Sequence, residues 1–460
     1  MLIDFRKNKM ETLFKIIYVV HLLLAFNGFV NQTPITKITL FLTVSIGAVV
    51  GIQKLFQFKN LKSRSNFWIL NMFIVSYIVS MLFNMKYGFI DGLQGLVWLS
   101  VEIWILYLVN DEIDLKKEFE LVANVIIVCV TIANLASLGM FLTGFAVKNL
   151  VGDKMYVLGF IWGRLWGIYN DPNHGAIISS LVVLMSIYFC VLLKKHKKCY
   201  WFAFAVQVLY IYLSDSRTGI LCLGIGLGIV GAMFYLKKFA SYSQVKKACC
   251  AITIFIALVV GCSLVEKPIQ KGMGSLANKT TLILNVFQSE RGEIETDANE
   301  EIIVGREAES SDPSNRRFDI WKSGVEIFMS KPLVGVSWSN ITRYAQENIP
   351  ETYMVNNDLQ NFASCHNMPI DVLVGQGLLG VVLMAVLMVK SFINIVKYIN
   401  HVEEIDSVFA VVLFAILIVS AFASLLISSI FYINSPESFI FWLSFGYMMC
   451  LIHVKKRKDL

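Results

Sequence analysis

The stretch NMPIDVLVGQGLLGVVLMAVLMVKSFI, residues 367–393, decides the fold class, because only Asp371 and Lys390 are charged in an otherwise mostly apolar run. A bilayer-spanning helix needs about 20 such residues. Comparable runs recur from Ile16 to Ile452, and hydropathy marks twelve candidate spans at 13–30, 38–55, 66–84, 89–109, 120–145, 174–193, 200–214, 219–236, 248–265, 367–393, 407–428 and 437–453. The runs exceed about 15 apolar residues without alternating, which excludes an outer-membrane barrel. Across all 460 residues, 56% are hydrophobic and 16% charged, and the mean hydropathy is +0.64. A soluble domain carries about 25% charged residues, so an ordinary globule is excluded too. The expectation is an all-α polytopic membrane protein of about 12 transmembrane helices.

Nine cysteines do not make a disulfide framework here. Cys129, Cys190, Cys199, Cys222, Cys249, Cys250, Cys262 and Cys450 fall in or at the ends of apolar runs, which leaves Cys365 as the clear loop cysteine. Arg6, Lys7 and Lys9 before the first run resemble a signal peptide, but no small-residue cleavage site follows Phe29, so the run counts as the first span.

Lysine and arginine set the orientation, since positively charged short loops stay cytoplasmic. With the N-terminus inside, the cytoplasmic segments hold such groups as Lys54, Lys59, Lys62 and Arg64, Lys194 to Lys198, and Lys455, Lys456, Arg457 and Lys458. The short outer loops hold only Lys37, Lys86, Lys148, Lys154, Arg164 and Arg217. Both termini are then cytoplasmic. The net charge of +7 follows from this bias and from anionic inner-leaflet lipid, and it is no sign of a nucleic-acid partner.

Three parts follow along the chain: a nine-helix membrane part over 1–265, an extracytoplasmic loop over 266–365, and a three-helix part over 366–460. The loop has an acidic middle that reads as mobile (Glu293, Glu295, Asp297, Glu300, Glu301, Glu307, Glu309, Asp312). Asp312-Pro313 then reads as a helix start, and Phe318, Trp321, Val325 and Phe328 follow at helical spacing until Pro332. A helix lying at the outer membrane surface fits that pattern.

Charges on the outer face are the informative ones, because they are costly near a membrane. Even-numbered spans start at that face, so their free N–H groups and positive dipole ends lie there. Span six opens with Asp171-Pro172-Asn173-His174 just after Arg164, and span eight opens with Ser216-Arg217-Thr218-Gly219. A cation in the first turn is unfavourable for the helix by about 0.3–1 kcal/mol. An anionic ligand would reverse that sign, as a phosphate or pyrophosphate does; pairing of Arg217 with Asp215 or with lipid phosphate is the other open reading. Arg316 and Arg317 either reach the same anion or extend to lipid headgroups.

His174 and His366 are the outer histidines. A histidine suits a general base at neutral pH, although one at a helix end is commonly a cap or surface residue. Cys365 beside His366 suggests a Cys-His pair, but sequence neighbours on a helix do not face each other. Glu102, inside span four, is either a relay carboxylate or a buried hydrogen-bonded one. Gly375-Gln376-Gly377-Leu378-Leu379-Gly380 satisfies G-x-G-x-x-G yet follows no strand, so close helix packing is the better reading. The Glu293-Ile294-Glu295-Thr296-Asp297 run reads as solvated, and no D-x-D pair stands on the outer face.

From about Arg164 to Gly380 the sequence resembles the O-antigen ligase and polysaccharide (Wzy-type) polymerase family of bacterial membrane glycosyltransferases. The family's His-Asn-x9-Gly-x-x-Gly segment is matched by His366-Asn367, Gly377 and Gly380, and its Ser-Arg-Thr-Gly helix start by Ser216 to Gly219. Arg164 and Gly175 around Asn173 match an Arg-x10-Gly spacing, and Arg317, Trp321, Pro332 and Gly335 match an Arg…Trp…Pro-x-x-Gly loop. Val381 and Ser337 depart from the pattern, at a position following the second glycine and at the second glycine of a Gly-Val-Gly.

The resemblance implies a GT-C-like fold in the bacterial cytoplasmic membrane and an undecaprenyl-pyrophosphate-linked oligosaccharide as donor. It implies His366 as the catalytic base, with Arg164, Arg217 and Arg317 holding the pyrophosphate. Arg316, Asn173, Asn367, Gly377 and Gly380 would support them. No cofactor or metal is required; membrane lipid, a flippase and a chain-length regulator are the implied partners. A polymerase of repeat units is the expected activity, since the family's divergent members are commonly polymerases and nothing marks a ligase acceptor. A ligase of finished glycan is the alternative. A lipid-linked sugar flippase would call for midplane polar sites and repeated halves, and neither is evident.

Overall fold

The computed structural model describes residues 2–31, 33–110, 113–151, 154–192, 197–239, 243–289, 302–305, 316–358, 361–401 and 404–458. The acidic stretch from Glu293 to Asp312 lies almost wholly outside them, and so does the expected helix start at Asp312-Pro313. The protein is an all-α polytopic membrane protein, with 78% of the described residues helical.

In chain order the helices are α1 (Leu2–Ala25), α2 (Pro34–Phe56), α3 (Phe67–Phe83), α4 (Met85–Val101), α5 (Leu115–Leu142), α6 (Pro172–Leu192), α7 (Lys197–Leu213) and α8 (Arg217–Lys238). They continue with α9 (Gln244–Leu264), α10 (Glu266–Ser289), α11 (Arg317–Ser330), α12 (Ile341–Asn348), α13 (Met368–His401), α14 (Glu404–Ser424) and α15 (Pro436–Lys458). Each of the twelve expected spans falls on one of these helices. Among the described residues, nine helical segments are both long and apolar enough to cross a membrane. The expected spans on α1, α3 and α7 are outside that set. The last two have 17 residues each, and α1 carries Glu11 and Lys15.

Two features depart from the expectation. Residues 146–167, expected as an outer loop, form a three-stranded antiparallel sheet of β1 (Ala146–Val151), β2 (Lys154–Ile161) and β3 (Arg164–Gly167), in that order. Trp162 and Gly163 join β2 to β3 with φ of 54° and 66°, the two left-handed residues of a tight hairpin turn. The long loop expected from residue 266 begins instead as helix α10, directly after α9.

The chain divides into two compact units, each assembled from segments distant in sequence. One comprises Met1–Ile17, Leu42–Glu118 and Ser310–Leu460; the other comprises Tyr18–Phe41 and Phe119–Glu309.

In the first unit α13 packs on α3 and α11, and α14 on α15. A buried ion network ties together the ends of its segments. Lys15 pairs with Glu11 and Glu118 at 3.0 Å each, Lys54 pairs with Glu11 at 2.9 Å, and the Tyr447 hydroxyl donates to Glu118 at 3.0 Å. Two lysines against two glutamates leave no net charge in a place where an unpaired one would cost several kcal/mol. Helix α4 ends in a π-helical turn, Glu102–Tyr107, in which Glu102 is buried and accepts the Ser438 hydroxyl. Of the two readings of Glu102, this geometry is the buried, hydrogen-bonded one.

In the second unit the helices pair as α6 with α7, α6 with α8, and α8 with α9. Gly219 lets α8 meet α6 closely, since an added Cβ would lie 2.4 Å from the Ala176 Cβ.

Candidate active site

In the first unit the chain before α13 is shaped by the helix it precedes. Asn367 caps α13: its Oδ1 accepts the Ile370 N–H at 3.1 Å, its carbonyl accepts the Asp371 N–H at 2.8 Å, and Nδ2 donates to the Leu425 carbonyl at 3.0 Å. Pro369 sits in the first turn, where its missing N–H costs nothing. Asp371 lies on the same turn and is 1% exposed. Its carboxylate turns back on the incoming chain, with Oδ1 accepting the Cys365 N–H at 2.7 Å and Oδ2 accepting the Ser364 hydroxyl at 2.7 Å. Oδ2 also accepts the Ser428 hydroxyl. A buried anion with three donors at a helix N-terminus is satisfied by both hydrogen bonds and dipole.

His366 stands in the middle of this clamp. Its φ is 50°, a conformation that costs a non-glycine residue about 1–3 kcal/mol and persists only when the surroundings enforce it. The His366 N–H donates to Ser364 Oγ at 3.0 Å, and its half-buried ring stands edge-on to Phe362 at 6.2 Å. Cys365 points the other way. It is fully buried, and an added Cβ on Gly324 of α11 would come within 2.9 Å of its Sγ. Burial pushes the Cys365 thiol well above its ordinary value, and the Asp371 charge pushes it further. A protonated, packed thiol is a poor nucleophile.

Gly377 and Gly380 owe their places to a break in α13. Gly377 adopts φ 65° and ψ −161°, a region that is essentially glycine-only. At the break the segment after α11 pairs with the opened backbone: Val336 N–H donates to the Val374 carbonyl at 2.9 Å, Ser337 N–H to Gly375 at 3.1 Å, and Leu378 N–H to Pro332 at 2.8 Å. Side chains at Gly377 or Gly335 would collide with this pairing, at 2.4 Å from the Leu333 carbonyl oxygen and 2.5 Å from that of Val374. Gly380 has Gln376 folded against it, 2.4 Å from an added Cβ. Pro332, Gly335, Gly377 and Gly380, two signatures far apart in sequence, are thus one structure. Helix α3 reads the same junction, with the Ser80 hydroxyl donating to Gly375 at 2.7 Å and Asn84 Nδ2 to Gly335 at 3.1 Å.

Arg316 and Arg317 stand at the start of α11, and Arg316 Nη1 reaches the Tyr353 hydroxyl at 3.3 Å. On helix α11 two residues of the expected membrane-facing stripe, Phe318 and Val325, are exposed. Met329 is exposed with them, and Ile320, Ser323, Gly324 and Ile327 face the core. Phe328, expected on the membrane face, packs against the core.

In the second unit Arg164, Asn173 and the start of α8 come together. The hairpin turn at 162–163 places Arg164 first in β3, where it is 8% exposed. Its Nε donates to the Ser214 carbonyl and its Nη2 to Asn173 Oδ1, both at 2.9 Å. Asn173 Oδ1 also accepts the Ser216 hydroxyl at 3.0 Å, and Ser216 caps α8 by accepting the Gly219 N–H at 3.1 Å. Asp171 caps α6 in the same way, with Oδ1 accepting the Asn173 N–H at 2.6 Å. Two helix N-termini are therefore joined through one buried guanidinium, and their positive ends lie side by side. Arg217, the first residue of α8, is exposed beside them. His174 stands edge-on to Phe26 at 5.6 Å.

His366, Asn367, Gly377, Gly380, Arg316 and Arg317 thus belong to the first unit, and Arg164, Asn173 and Arg217 to the second. The residues missed from sequence are Asp371, Ser364 and Ser428 of the clamp and Ser80 and Asn84 of the junction. Asp371 carried a usable signal, as the one acid in the 367–393 run. Among the described residues no three His, Cys, Asp or Glu side chains gather as a metal site requires.

Residues 202–385 match the family model described as O-antigen ligase. The matched segment holds Arg217, Arg316, Arg317, His366, Asn367, Gly377 and Gly380 and stops short of Arg164 and Asn173. No curated protein matches the chain.

Proposed function

We propose, from the match of residues 202–385 to the O-antigen ligase family model, that the chain is a polymerase of capsular, O-antigen or exopolysaccharide repeat units. It works at the outer face of the bacterial cytoplasmic membrane, with both termini inside. The donor is an undecaprenyl-pyrophosphate-linked glycan and the acceptor a sugar hydroxyl, and neither metal nor cofactor takes part.

In this reading His366 takes the proton of the acceptor hydroxyl as its oxygen attacks the anomeric carbon of the donor. The bond from that carbon to the pyrophosphate oxygen breaks, and the pyrophosphate leaves with the electron pair. Its growing charge is met by Arg217 and Arg317, while Arg164 fixes the paired helix starts that carry positive dipole ends. The observation that supports the base assignment is the backbone of His366, held at φ 50° between a cap and a buried carboxylate. Such a backbone persists only where its surroundings enforce it, so the ring has a fixed place from which to act.

The test is transfer with purified components. Full-length protein given a lipid pyrophosphate oligosaccharide should produce lipid-linked glycan lengthened by whole repeat units. Transfer to an added lipid A core or wall acceptor without lengthening would instead establish the ligase reading, and movement of lipid between leaflets with no new bond would establish a flippase.

A further inference from the structure

A groove of about 760 Å³ opens on the first unit between α13, α15 and the segment joining α2 to α3, lined by residues that no part of the proposed chemistry uses. One wall is apolar: Val386, Val389 and Ile393 of α13 are 47%, 60% and 46% exposed. The lining is also basic and polar, with Lys390 of α13 and His453 and Lys456 of α15. A soluble ligand has no use for the apolar wall, and bulk lipid tails have none for the cations. An amphiphile with an anionic head uses both.

The distance along α15 agrees with that assignment. At 1.5 Å per residue, Lys456 lies about 30 Å beyond the first residue of α15, which matches the hydrocarbon thickness of about 30 Å. Lys456 therefore lies where that spanning helix leaves the acyl region for the headgroup region, and Lys390 of α13 lines the same groove.

We propose that this groove is a specific site for an anionic diacyl phospholipid, with the phosphate between Lys390 and Lys456 and one acyl chain along Val386 and Val389. On the orientation proposed above it belongs to the cytoplasmic leaflet, but the lipid assignment does not depend on that orientation or on the reaction. The site lies at the opposite end of α13 from His366, so it acts on the stability of the fold rather than on the donor.

The test is thermal unfolding of the detergent-purified full chain with added phosphatidylglycerol, phosphatidylcholine, inorganic phosphate or a polyprenyl phosphate. Phosphatidylglycerol should raise the Tm of the wild type by several degrees, and phosphatidylcholine and inorganic phosphate should not. The K390Q/K456Q protein, altered only at exposed positions, should keep the lipid-free Tm and bind phosphatidylglycerol roughly tenfold or more weakly. An equal shift in that variant would overturn the proposal. So would an equal shift from phosphatidylcholine or phosphate, or a larger one from the polyprenyl phosphate.

Discussion

The carboxylate of Asp371 accepts the backbone N–H of Cys365 at 2.7 Å, so the first turn of α13 holds the residue before His366 in place. Asp371→Leu removes that acceptor and those for Ser364 and Ser428. Each buried donor left without a partner costs about 1–3 kcal/mol. The expected outcome is a loss of transfer of at least tenfold with donor binding retained. Asp371→Asn keeps one carbonyl acceptor and should retain more activity than Asp371→Leu; equal loss in both would remove the positioning role.

Gly335 and Gly377 meet across one junction, so their substitutions should not be independent. Gly377→Ala forces a Cβ into the glycine-only region and against the Leu333 carbonyl, and should destabilise by at least about 1–3 kcal/mol. Gly335→Ala, at φ 69° against Val374, should behave alike. The double variant should lose less than the sum of the two, because the second change disrupts pairing already lost. Denaturant titration in detergent measures all three.

Arg164 and Arg217 should separate cleanly. Arg164→Ala leaves the buried Ser214 carbonyl without its Nε donor and takes from Asn173 Oδ1 one of its two donors, so it should lower the Tm along with activity. Arg217 is exposed, and Arg217→Ala should leave the Tm near that of the wild type while weakening donor binding. A Tm loss in Arg217→Ala as large as in Arg164→Ala would contradict this division.

Lys15 illustrates the reverse of a surface charge. Lys15→Met leaves Glu11 and Glu118 facing one another in a buried place with Lys54 alone to balance them. Breaking such a network from one side costs about 3–5 kcal/mol. Lys15→Met combined with Glu118→Leu should recover part of it, read again by denaturant titration.

Cys365 should be inert. Its burial and raised pKa keep the thiol protonated at neutral pH, so a maleimide should label it only after denaturation, and Cys365→Ala should retain transfer. Abolished transfer in a well-folded Cys365→Ala protein would return the Cys-His pair to consideration.

Hydropathy alone located every helix that carries an expected span, because a membrane demands long apolar runs whatever they pack against. Helix starts were equally legible where a cap is local, as at Asp171-Pro172 and Ser216-Arg217. The β1 to β3 sheet was not, since β3 has only four residues, β1 carries Lys148 and Asn149, and β2 after Lys154 is an apolar run without alternation. The sequence does hold turn signals at Gly152-Asp153 and Trp162-Gly163. On α11 Phe328 turns to the core, and the sequence does not signal this because Gly324, a point of close approach, has no apolar side chain to count. The clamp on His366 depends on Ser428, which is distant in sequence, and no local pattern announces such a partner. The pairing of Gly335 with Gly377 is of the same kind: each glycine signals a special backbone, and only the fold shows that the two are one.

The role of His366 as the base of a polymerase is tested by the lipid-linked glycan profile, resolved by length, of cells carrying wild type or His366→Ala. The variant, present in the membrane at wild-type level, should accumulate single repeat units on lipid. A profile unchanged from wild type would contradict that role, and long lipid-linked chains that fail to reach their final acceptor would make the protein a ligase.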